Sequence, residues 1–325
     1  MGEQPKHVLI TGATGFIGRQ LTERLIERGD RVTVLARNRV KAARLFGSRA
    51  AIVTDLAALP TTTRIDAIVN LAGESIAGGL WTARRRAVLV GSRLAVTQAL
   101  LALVARLTHK PSTWVNASAV GYYGAQAGDA PLHEKSGPGR GFQADLCRQW
   151  EETATRAEAQ GVKVALLRLG IVLGSDGGAL PALARPVRWF VGSVLGSGRQ
   201  WVTWIHIDDL LELVLFVLDQ QTLAGPLNAT APTPVRHTEL MTAIARALHR
   251  RLLPLAVPAF VLRRALGELA ELFVDGQRVL PERAMALGFR FRYTTIDAAL
   301  AQLFGPDRRH RAAPTPPAAR VSGSP

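Results

Sequence analysis

Glycines near the amino terminus have the spacing of a turn that holds phosphate groups. The segment reads Thr11-Gly12-Ala13-Thr14-Gly15-Phe16-Ile17-Gly18, after an apolar run and at the start of an amphipathic helical pattern. Gly12 permits a tight turn, Gly15 lets the backbone approach a pyrophosphate, and Gly18 lets the helix pack closely. The alternative is a glycine-rich turn without a ligand. The sequence favours a dinucleotide site at a helix N-terminus, with contacts from Thr11, Gly12, Thr14, Gly15, Phe16, Ile17 and Gly18.

The residues after the second apolar run indicate which dinucleotide binds. An NAD-selective site places Asp or Glu there, to accept hydrogen bonds from the ribose 2′-hydroxyl. Residues 34–39 read VLARNR and contain no acid. Arg37 can instead hold a 2′-phosphate by a bidentate contact, or be a solvated surface residue. The sequence therefore predicts NADP(H), with further cofactor contacts, or turn residues only, at Asp55, Leu71, Ala72 and Gly73.

Five polar side chains are candidates for catalysis near the same edge of the protein. Ser118 could donate a hydrogen bond to a substrate carbonyl, and Tyr122 or Tyr123 could donate a proton. Glu134 is a candidate carboxylate base, as is Glu74. The alternative is that the tyrosines pack with a satisfied hydroxyl and Glu134 lies on a surface loop. No metal-ligand spacing occurs, so we predict no metal.

These residues must be positioned by alternating strands and helices. Short apolar runs, typical of fully buried parallel strands, occur at His7–Ile10, Arg31–Ala36, Ala51–Val53, Ala67–Leu71, Thr113–Ala117 and Val164–Leu169. Helical patterns lie between several of them, so the fold class is α/β, a doubly wound parallel sheet (Rossmann fold) with a small mixed C-terminal substrate lobe. We expect a dinucleotide-binding core over 1–174, remaining core elements and the lobe over 175–305, and a disordered tail over 306–325.

Composition limits the partners. The formal net charge is +15, but only five of the 40 basic residues are lysines, and no helix carries a basic stripe interleaved with aromatic residues. We therefore predict no specific nucleic-acid partner. The apolar runs are too short for a membrane span, and no signal segment precedes the first strand, so we expect a cytoplasmic protein. The single cysteine, Cys147, fits a small buried apolar residue better than a catalytic thiol.

Together these segments resemble the short-chain dehydrogenase/reductase superfamily, in its extended or atypical branch. The resemblance is closer to the subgroup called "epimerase family protein", which carries a C-terminal domain of unknown function. It covers about residues 6–304, and the motifs that carry it are Asn70–Glu74, Ser92-Arg93, Ser118–Gly124, Cys147-x-x-Trp150-Glu151, Gly198–Trp201, Leu266–Glu268, Gly276–Pro281 and Gly288–Phe291. The resemblance implies a Rossmann fold and NADP(H) binding, with an unassigned substrate.

The acid/base pair usual in this superfamily, Tyr-x-x-x-Lys, is absent. The tyrosines are Tyr122, Tyr123 and Tyr293, and the residues four positions on are Gln, Ala and Asp. Where the pair is expected, the sequence reads Phe142-Gln143-Ala144-Asp145-Leu146. The sequence thus favours an NADP(H)-dependent oxidoreductase or epimerase-like protein with an atypical site and an unidentified small-molecule substrate. The alternative is a non-catalytic NADP(H)-binding regulatory or redox-sensing protein.

Several other side chains have two interpretations. Trp201 and Trp204 either line a substrate pocket or fill the core between lobes. Arg168 and Arg199 could hold an anionic substrate, Arg199 more readily because its loop is glycine-rich. His206 precedes an Asp-Asp pair that resembles a helix N-cap, and it is expected to orient the loop.

Overall fold

A computed structural model describes residues 5–126, 128–220 and 222–305. The strands are β1 (His7–Thr11), β2 (Arg31–Leu35), β3 (Ala51–Val53), β4 (Ala67–Asn70), β5 (Thr113–Ala119), β6 (Lys163–Leu169), β7 (Ile171–Gly174), β8 (Gly177–Gly178), β9 (Trp201–Val202), β10 (Trp204–His206), β11 (Gly225–Ala229) and β12 (Val235–Arg236). The expected tail, 306–325, lies outside the described residues.

The helices alternate with the strands through the first half of the chain and dominate the last third. They are α1 (Phe16–Glu27), α2 (Arg39–Phe46), α3 (Ala83–Arg106), α4 (Phe142–Thr155), α5 (Leu180–Arg188), α6 (Ile207–Asp219), α7 (His237–Ala247), α8 (Ala259–Leu266), α9 (Glu271–Val274), α10 (Glu282–Ala286) and α11 (Ile296–Phe304). Short 3₁₀ segments occur at Leu56–Ala58, Val120–Tyr123, Arg156–Gln160 and Gly267–Ala270.

The central sheet of the described chain has seven strands, in the order β3-β2-β1-β4-β5-β6-β11. Every neighbouring pair is parallel. The strands are apolar on both faces because helices cover both faces, and all five residues of β1 are buried. The strand order reverses between β1 and β4, which opens a crevice at the carboxyl ends of the strands. The prediction of a doubly wound sheet is confirmed.

Helices pack on both faces of this sheet. Leu21 and Leu25 of α1 share one hydrophobic core with Leu210 and Val214 of α6. On the opposite face, Leu100 of α3 packs in a second core with residues of β4, β5 and β6. These two layers fix the positions of the strand ends, where the polar candidates lie.

A smaller lobe covers the carboxyl edge of the sheet. Its core is formed by α5, α7 and α11 around the fully buried Trp204. Two small sheets, β10-β7-β8 and β12-β9, connect this lobe to the end of β6. The chain after residue 174 also returns to the main sheet as β11, beside β6.

Helix α3 is long and apolar enough, by length and composition, to cross a bilayer. A core helix of a globular protein can pass the same test. In this fold Leu100, Leu103 and Val104 of α3 are buried in the core below the sheet. Residues from its first half, Ser92 and Arg93, form hydrogen bonds with the loop that follows β4.

Candidate functional site

The glycine-rich turn connects β1 to α1 and has little room for side chains. Gly12 has φ +72°, and a Cβ there would lie 2.6 Å from the carbonyl oxygen of Leu71. A Cβ on Gly18 would overlap the Gly12 carbonyl. Both positions therefore require glycine for internal packing. At Gly15 the nearest atom to a Cβ is the Gly12 oxygen, at 3.2 Å, so the missing side chain leaves an exposed backbone surface.

That surface has the properties of an anion site. Gly15 is the N-cap of α1 and makes no side-chain capping bond, so the first N–H groups of the helix, at Phe16 and Ile17, have no intrahelical partner. Phe16 and Ile17 are partly exposed, as is Thr14. Thr11 differs from these residues. It is buried, and its hydroxyl donates to Asn70 Oδ1 at 2.6 Å, within the sheet.

The basic residue after β2 lies at the outer end of this crevice. The side chain of Arg37 is 92% exposed, and its Nη2 lies 3.3 Å from Glu74 Oε1. Glu74 is also 3.8 Å from the Arg85 guanidinium. An exposed ion pair of this kind contributes little stability, so Arg37 can exchange its partner for a phosphate at small cost. The Asp55 carboxylate accepts from the backbone N–H of Ala57, which makes it the cap of a 3₁₀ turn.

The loop after β4 is held from outside by α3. Ser92 Oγ accepts from the Glu74 N–H at 3.1 Å, and Arg93 Nη2 donates to the Glu74 carbonyl at 3.1 Å. A Cβ on Gly73 would lie 3.1 Å from the Arg93 side chain, so the loop is in close contact with that helix. Leu71 and Ala72 form the floor beneath Gly12. The Ser92-Arg93 pair thus positions the loop that faces the turn.

A buried network of charged and polar side chains links α4 to strands β5 and β6. Glu151 of α4 accepts from Ser118 Oγ at 2.6 Å and from Arg168 at 2.9 and 2.8 Å, a bidentate ion pair. Arg168 also donates to the Tyr123 hydroxyl at 3.0 Å. Burial opposes the charge on Arg168, yet the bonds to Glu151 raise the pKa of its guanidinium. Arg168 is therefore permanently charged, and its charge is paired with Glu151 inside the protein. The expectation that Arg168 holds an anionic substrate is wrong.

The network continues to β11 and the C-terminal region. The Tyr123 hydroxyl donates to Asn228 Oδ1 at 2.7 Å. Glu134 accepts from the N–H of Asn228 at 2.9 Å and from the N–H of Arg283 at 3.4 Å. These bonds join the end of the sheet to the segment before α10. The alternative that Glu134 lies on a surface loop is wrong, because its side chain is buried.

The structure brings the four candidates Ser118, Tyr122, Tyr123 and Glu134 together, but the polar groups of three of them are bound to other residues. Ser118 is bound to Glu151, Tyr123 to Asn228 and Arg168, and Glu134 to the backbone of Asn228 and Arg283. Ser118 is 2% exposed and Tyr123 is 0% exposed. Burial raises the pKa of Tyr123, even though the Arg168 guanidinium lies beside its oxygen. Tyr122 is partly exposed, and its ring lies 3.5 Å below the Arg168 guanidinium carbon. Among the four, Tyr122 alone is accessible to solvent.

Besides Glu151, the side chains of Gln143 and Cys147 face the end of β5 from α4. A Cβ on Gly121, just beyond that strand, would lie 3.1 Å from Gln143 Oε1. The Cys147 thiol lies next to Ser118, and burial raises its pKa to about 11. Gln143 lies within the segment where the sequence placed the pair, Phe142–Leu146, and Cys147 is the residue directly after it. The Gln143 amide cannot exchange a proton, and the Cys147 thiol stays protonated at neutral pH.

Phe142 packs away from the sheet end, with its ring centroid 5.3 Å from that of Trp81. Leu146 is buried in the same small core. These contacts fix the rotation of α4 and hence which of its side chains face β5. One residue along a helix changes the direction of a side chain by about 100°, which explains the different environments of Phe142 and Gln143.

A cavity of about 240 Å³ lies between the sheet end and the smaller lobe. It begins at Val120 and Gly121, directly beyond β5, and Gln143 forms part of its wall. Trp201 lines this cavity, as expected for a residue of a substrate pocket. Trp204 is fully buried and fills the core of the lobe. The lining is mainly apolar, from residues that include Val120, Ile171, Leu183, Val202, Leu240 and Phe273.

The polar wall of the cavity includes groups that no sequence motif identified. His237, the first residue of α7, is 5% exposed, and burial lowers its pKa to about 4. Glu271 and Asp275 contribute two carboxylates from the C-terminal region. Arg199 lies outside this cavity, in an adjoining hollow with Arg236 and Trp201.

The sequence analysis assigned no role to Glu151, and it expected an aspartate rather than His206 to cap α6. Glu151 lies on the buried side of α4, one residue after Trp150, and an acid on an apolar helix face requires a partner. That signal was present in the sequence, but it does not identify Arg168 as the partner. His206, not an aspartate, is the N-cap of α6, and its Nδ1 accepts from the Asp208 N–H at 3.0 Å. Asp209 instead accepts from the N–H groups of Arg292 and Tyr293.

Known proteins match the chain over nearly its whole described length. The model of the NAD dependent epimerase/dehydratase family matches residues 8–228, and that of a domain of unknown function, DUF1731, matches residues 257–303. The "Epimerase family protein SDR39U1 homolog, chloroplastic" of Arabidopsis thaliana is 39% identical over 304 residues, 92% of this chain and 86% of the relative. The "Epimerase family protein YfhF" of Bacillus subtilis (strain 168) is 36% identical over 308 residues, 93% of this chain and 99% of the relative.

A solved structure shows the same architecture. The crystal structure of human epimerase family protein SDR39U1 (isoform2) with NADPH has a TM-score of 0.83 and 33% sequence identity, covering 92% of this chain and 99% of that chain. The glycine turn, the strand order and these matches agree with one another. The chain therefore belongs to the NAD dependent epimerase/dehydratase family, in the extended branch of the short-chain dehydrogenases/reductases, and carries the C-terminal DUF1731 domain.

Proposed function

We propose that this chain binds NADP(H) at the glycine-rich turn and transfers a hydride between that cofactor and a small molecule in the neighbouring cavity. The proposal rests on two features found together: the exposed turn at Gly15, and Arg37 in the segment that follows β2. The turn offers helix N–H groups to the pyrophosphate. Arg37, at the position where an acid would select NAD, offers a mobile cation to a 2′-phosphate. The human relative was crystallised with NADPH.

Each part of the crevice has a separate task in this proposal. Phe16 and Ile17 hold the phosphates through their backbone N–H groups, and Arg37 binds the 2′-phosphate. Leu71 and Ala72 leave room for the adenosine because the backbone of this loop is held against α3 by Arg93. When bound, the nicotinamide supplies or accepts a hydride.

The cavity wall must orient the substrate and handle its proton. Gln143 lies beside Gly121 and can hold a substrate oxygen by its amide. Ser118 and Tyr123 do not take this role, because their hydroxyls are bound within the buried network. The proton that accompanies the hydride is exchanged with a carboxylate of the C-terminal wall, Glu271 or Asp275, or with water.

Cofactor choice is tested by Arg37→Ala, with affinities for NADPH and NADH measured by fluorescence or calorimetry. Loss of a charge-assisted contact corresponds to a loss of about 10- to 100-fold for NADPH, with little change for NADH. The control is Arg44→Ala, which removes an exposed arginine from the last turn of α2. Equal losses for the two cofactors, or an equal effect of the control, would refute the assignment of Arg37 to the 2′-phosphate.

Turnover is tested by following NADPH oxidation at 340 nm across classes of carbonyl compounds. Oxidation that depends on the carbonyl compound supports an oxidoreductase or epimerase-like activity. A chain that binds NADPH tightly and oxidises it with no compound contradicts the catalytic part of the proposal. Binding and catalysis are thus tested by separate measurements.

A second function is favoured by one observation, the presence of Gln143 and the protonated Cys147 on α4 where the superfamily has a proton-exchanging pair. A protein with this site can act as an NADP(H)-dependent regulator without turnover. Its partner contacts would then differ between NADP⁺ and NADPH. Co-purification of a partner with one redox form only, in the absence of NADPH oxidation, would favour this alternative.

We further propose that the chain works in the cytoplasm on a small molecule, without a nucleic-acid partner. The excess positive charge is mostly arginine, and several of these residues are paired within the fold, as in the Arg24–Asp208 and Arg28–Asp219 ion pairs. Salt-independent behaviour of the purified protein on a polyanion column would support this proposal. Tight, salt-dependent binding to DNA or RNA would contradict it.

A further inference from the structure

The cavity beyond β5 contains polar groups that the rest of the site does not satisfy. Both ring nitrogens of His237 are shielded from water and have no hydrogen-bond partner among the described residues. The same holds for Oε1 of Gln200, although its Nε2 donates to the carbonyls of Leu195 and Phe273 at 2.9 and 2.8 Å. Such groups are rare in folded proteins because each loses its bonds to water without replacement.

These two residues are neighbours in the wall of the cavity. The N–H of His237 donates to the Gln200 carbonyl at 3.0 Å, so α7 begins directly beside the residue that precedes β9. Both residues line the cavity. In contrast, the buried groups of the Ser118, Glu151 and Arg168 network bind one another. Two residues with unsatisfied polar side-chain atoms, His237 and Gln200, thus line the cavity side by side.

The chemistry of His237 limits what it can bind. Burial holds its pKa at about 4, so the ring is neutral near pH 7 and offers one donor and one acceptor. The Gln200 oxygen offers a further acceptor. A hydroxyl or a carbonyl on a ligand matches these groups, whereas a neutral imidazole gives an anion no charge to pair with.

The remainder of the cavity favours an apolar and compact molecule. Its wall is formed largely by aliphatic and aromatic side chains such as Ile171, Leu240 and Phe273. The Glu271 carboxylate disfavours an anionic ligand, and Asp275 adds a second carboxylate that is 3.4 Å from the Arg263 guanidinium. The volume of about 240 Å³ is below the range usual for drug-sized ligands.

We propose that the cavity accepts a compact, largely apolar molecule with one carbonyl or hydroxyl group, and that His237 binds that oxygen and determines specificity. The inference names the substrate class of the function proposed above and rests on that proposal only in identifying the ligand as a substrate. It assigns His237 to ligand binding and not to proton transfer.

The test uses 2-octanone as the probe, with binding measured by ligand-observed NMR and calorimetry on the full chain, with and without NADPH. The probe is expected to bind the wild type. His237→Phe keeps a ring of similar size and removes both nitrogens. We expect this substitution to weaken the binding of 2-octanone about tenfold. His237→Asn restores a polar group in the same place and is expected to remain within about threefold of the wild type.

Thermal unfolding without the probe separates binding from a structural role. His237→Phe removes two unsatisfied polar atoms. The midpoint temperature of its thermal unfolding should therefore equal or exceed that of the wild type. The control is Thr113→Val at the start of β5, where a hydroxyl is also buried without a partner but lies outside the cavity. It should be equally well folded and should leave 2-octanone binding unchanged.

Three results would overturn the inference. The first is a wild type that does not bind 2-octanone, and the second is unchanged binding by His237→Phe. The third is displacement of 2-octanone by UDP-glucose, a large anionic probe, which would show that the cavity accepts a nucleotide sugar. A chain that binds 2-octanone but not NADPH would refute the function proposed above and leave this inference standing.

Discussion

The buried pair between Glu151 and Arg168 provides a direct test of how the end of the sheet is held together. The side chains are 7% and 4% exposed, and the carboxylate accepts two bonds from the guanidinium and a third from Ser118. Glu151→Gln keeps the shape of the side chain but leaves the Arg168 charge without its counterion. Removing one partner of a buried pair costs about 3–5 kcal/mol, so the free energy of unfolding should fall by that amount.

The assay is urea unfolding, monitored by tryptophan fluorescence. The dependence of the free energy of unfolding on urea concentration is compared between the variants. The matched control is Glu152→Gln, the adjacent residue on α4, whose side chain is 61% exposed and 3.8 Å from Arg148. Because exposed ion pairs contribute about 0–1 kcal/mol to stability, the control should unfold at almost the same urea concentration as the wild type. For a chain of this size the larger loss corresponds to a decrease of about 5–8 °C in the melting temperature.

Equal stabilities of Glu151→Gln and Glu152→Gln would refute the network as the element that joins α4 to β5 and β6. A normal unfolding curve for Glu151→Gln combined with lost turnover would instead assign the carboxylate to catalysis. The network interpretation predicts the opposite pattern, in which stability falls while NADPH affinity at the distant glycine turn changes little.

Two further predictions concern the glycine turn and the single cysteine. Gly12→Ala should abolish NADPH binding and destabilise the chain, because its Cβ would lie 2.6 Å from the Leu71 oxygen at φ +72°; Gly29→Ala, at φ +91° with open space around it, should cost only about 1–2 kcal/mol. Similar unfolding curves for the two variants would contradict the steric argument. Cys147 should resist iodoacetamide at pH 8 in the folded state and react after unfolding, as followed by mass spectrometry, because its pKa is raised to about 11. Since the thiol ionises at lower pH when unfolded, its contribution to stability is present below its ordinary pKa and is lost as pH rises towards about 11; rapid labelling of the native protein would exclude this burial.

The sequence predicted the first six strands to within one or two residues because each is a short apolar run covered on both faces. β11 was not predicted, and its sequence, GPLNA, explains why. Gly225 and Pro226 open it, it lies at the sheet edge against β6 alone, and only Leu227 is a strongly apolar residue. Its pairing is therefore determined by tertiary contacts, among them the bond from Tyr123 to Asn228.

The glycine turn could be predicted because its glycine spacing between a strand and a helix is a local sequence pattern. Gly18 packs against Gly12 within the turn, whereas the contact of Gly12 with Leu71 comes from the neighbouring strand and could not be read from that pattern. The catalytic edge depends on contacts between distant residues. Ser118, Glu151 and Arg168 come from three elements, and no local pattern indicates that their polar groups meet. The rotation of α4, set by Phe142 against Trp81, also cannot be read from a helical pattern alone.

The same contacts limit the acid/base chemistry that is available at the proposed site. The superfamily's acid/base pair works from the helix that faces the end of the fifth strand, and here that helix contributes a neutral amide at Gln143 and a protonated thiol at Cys147. The charge in this region, on Glu151 and Arg168, is internal and fixes the strands. The carboxylates that line the cavity come from the opposite wall, on the DUF1731 side, at Glu271 and Asp275, whereas burial keeps His237 of α7 neutral near pH 7. If the protein converts a substrate, we expect the proton to be transferred by the C-terminal domain and not by the dinucleotide-binding half. Substitutions in that domain should then alter the pH dependence of the reaction without altering NADPH affinity.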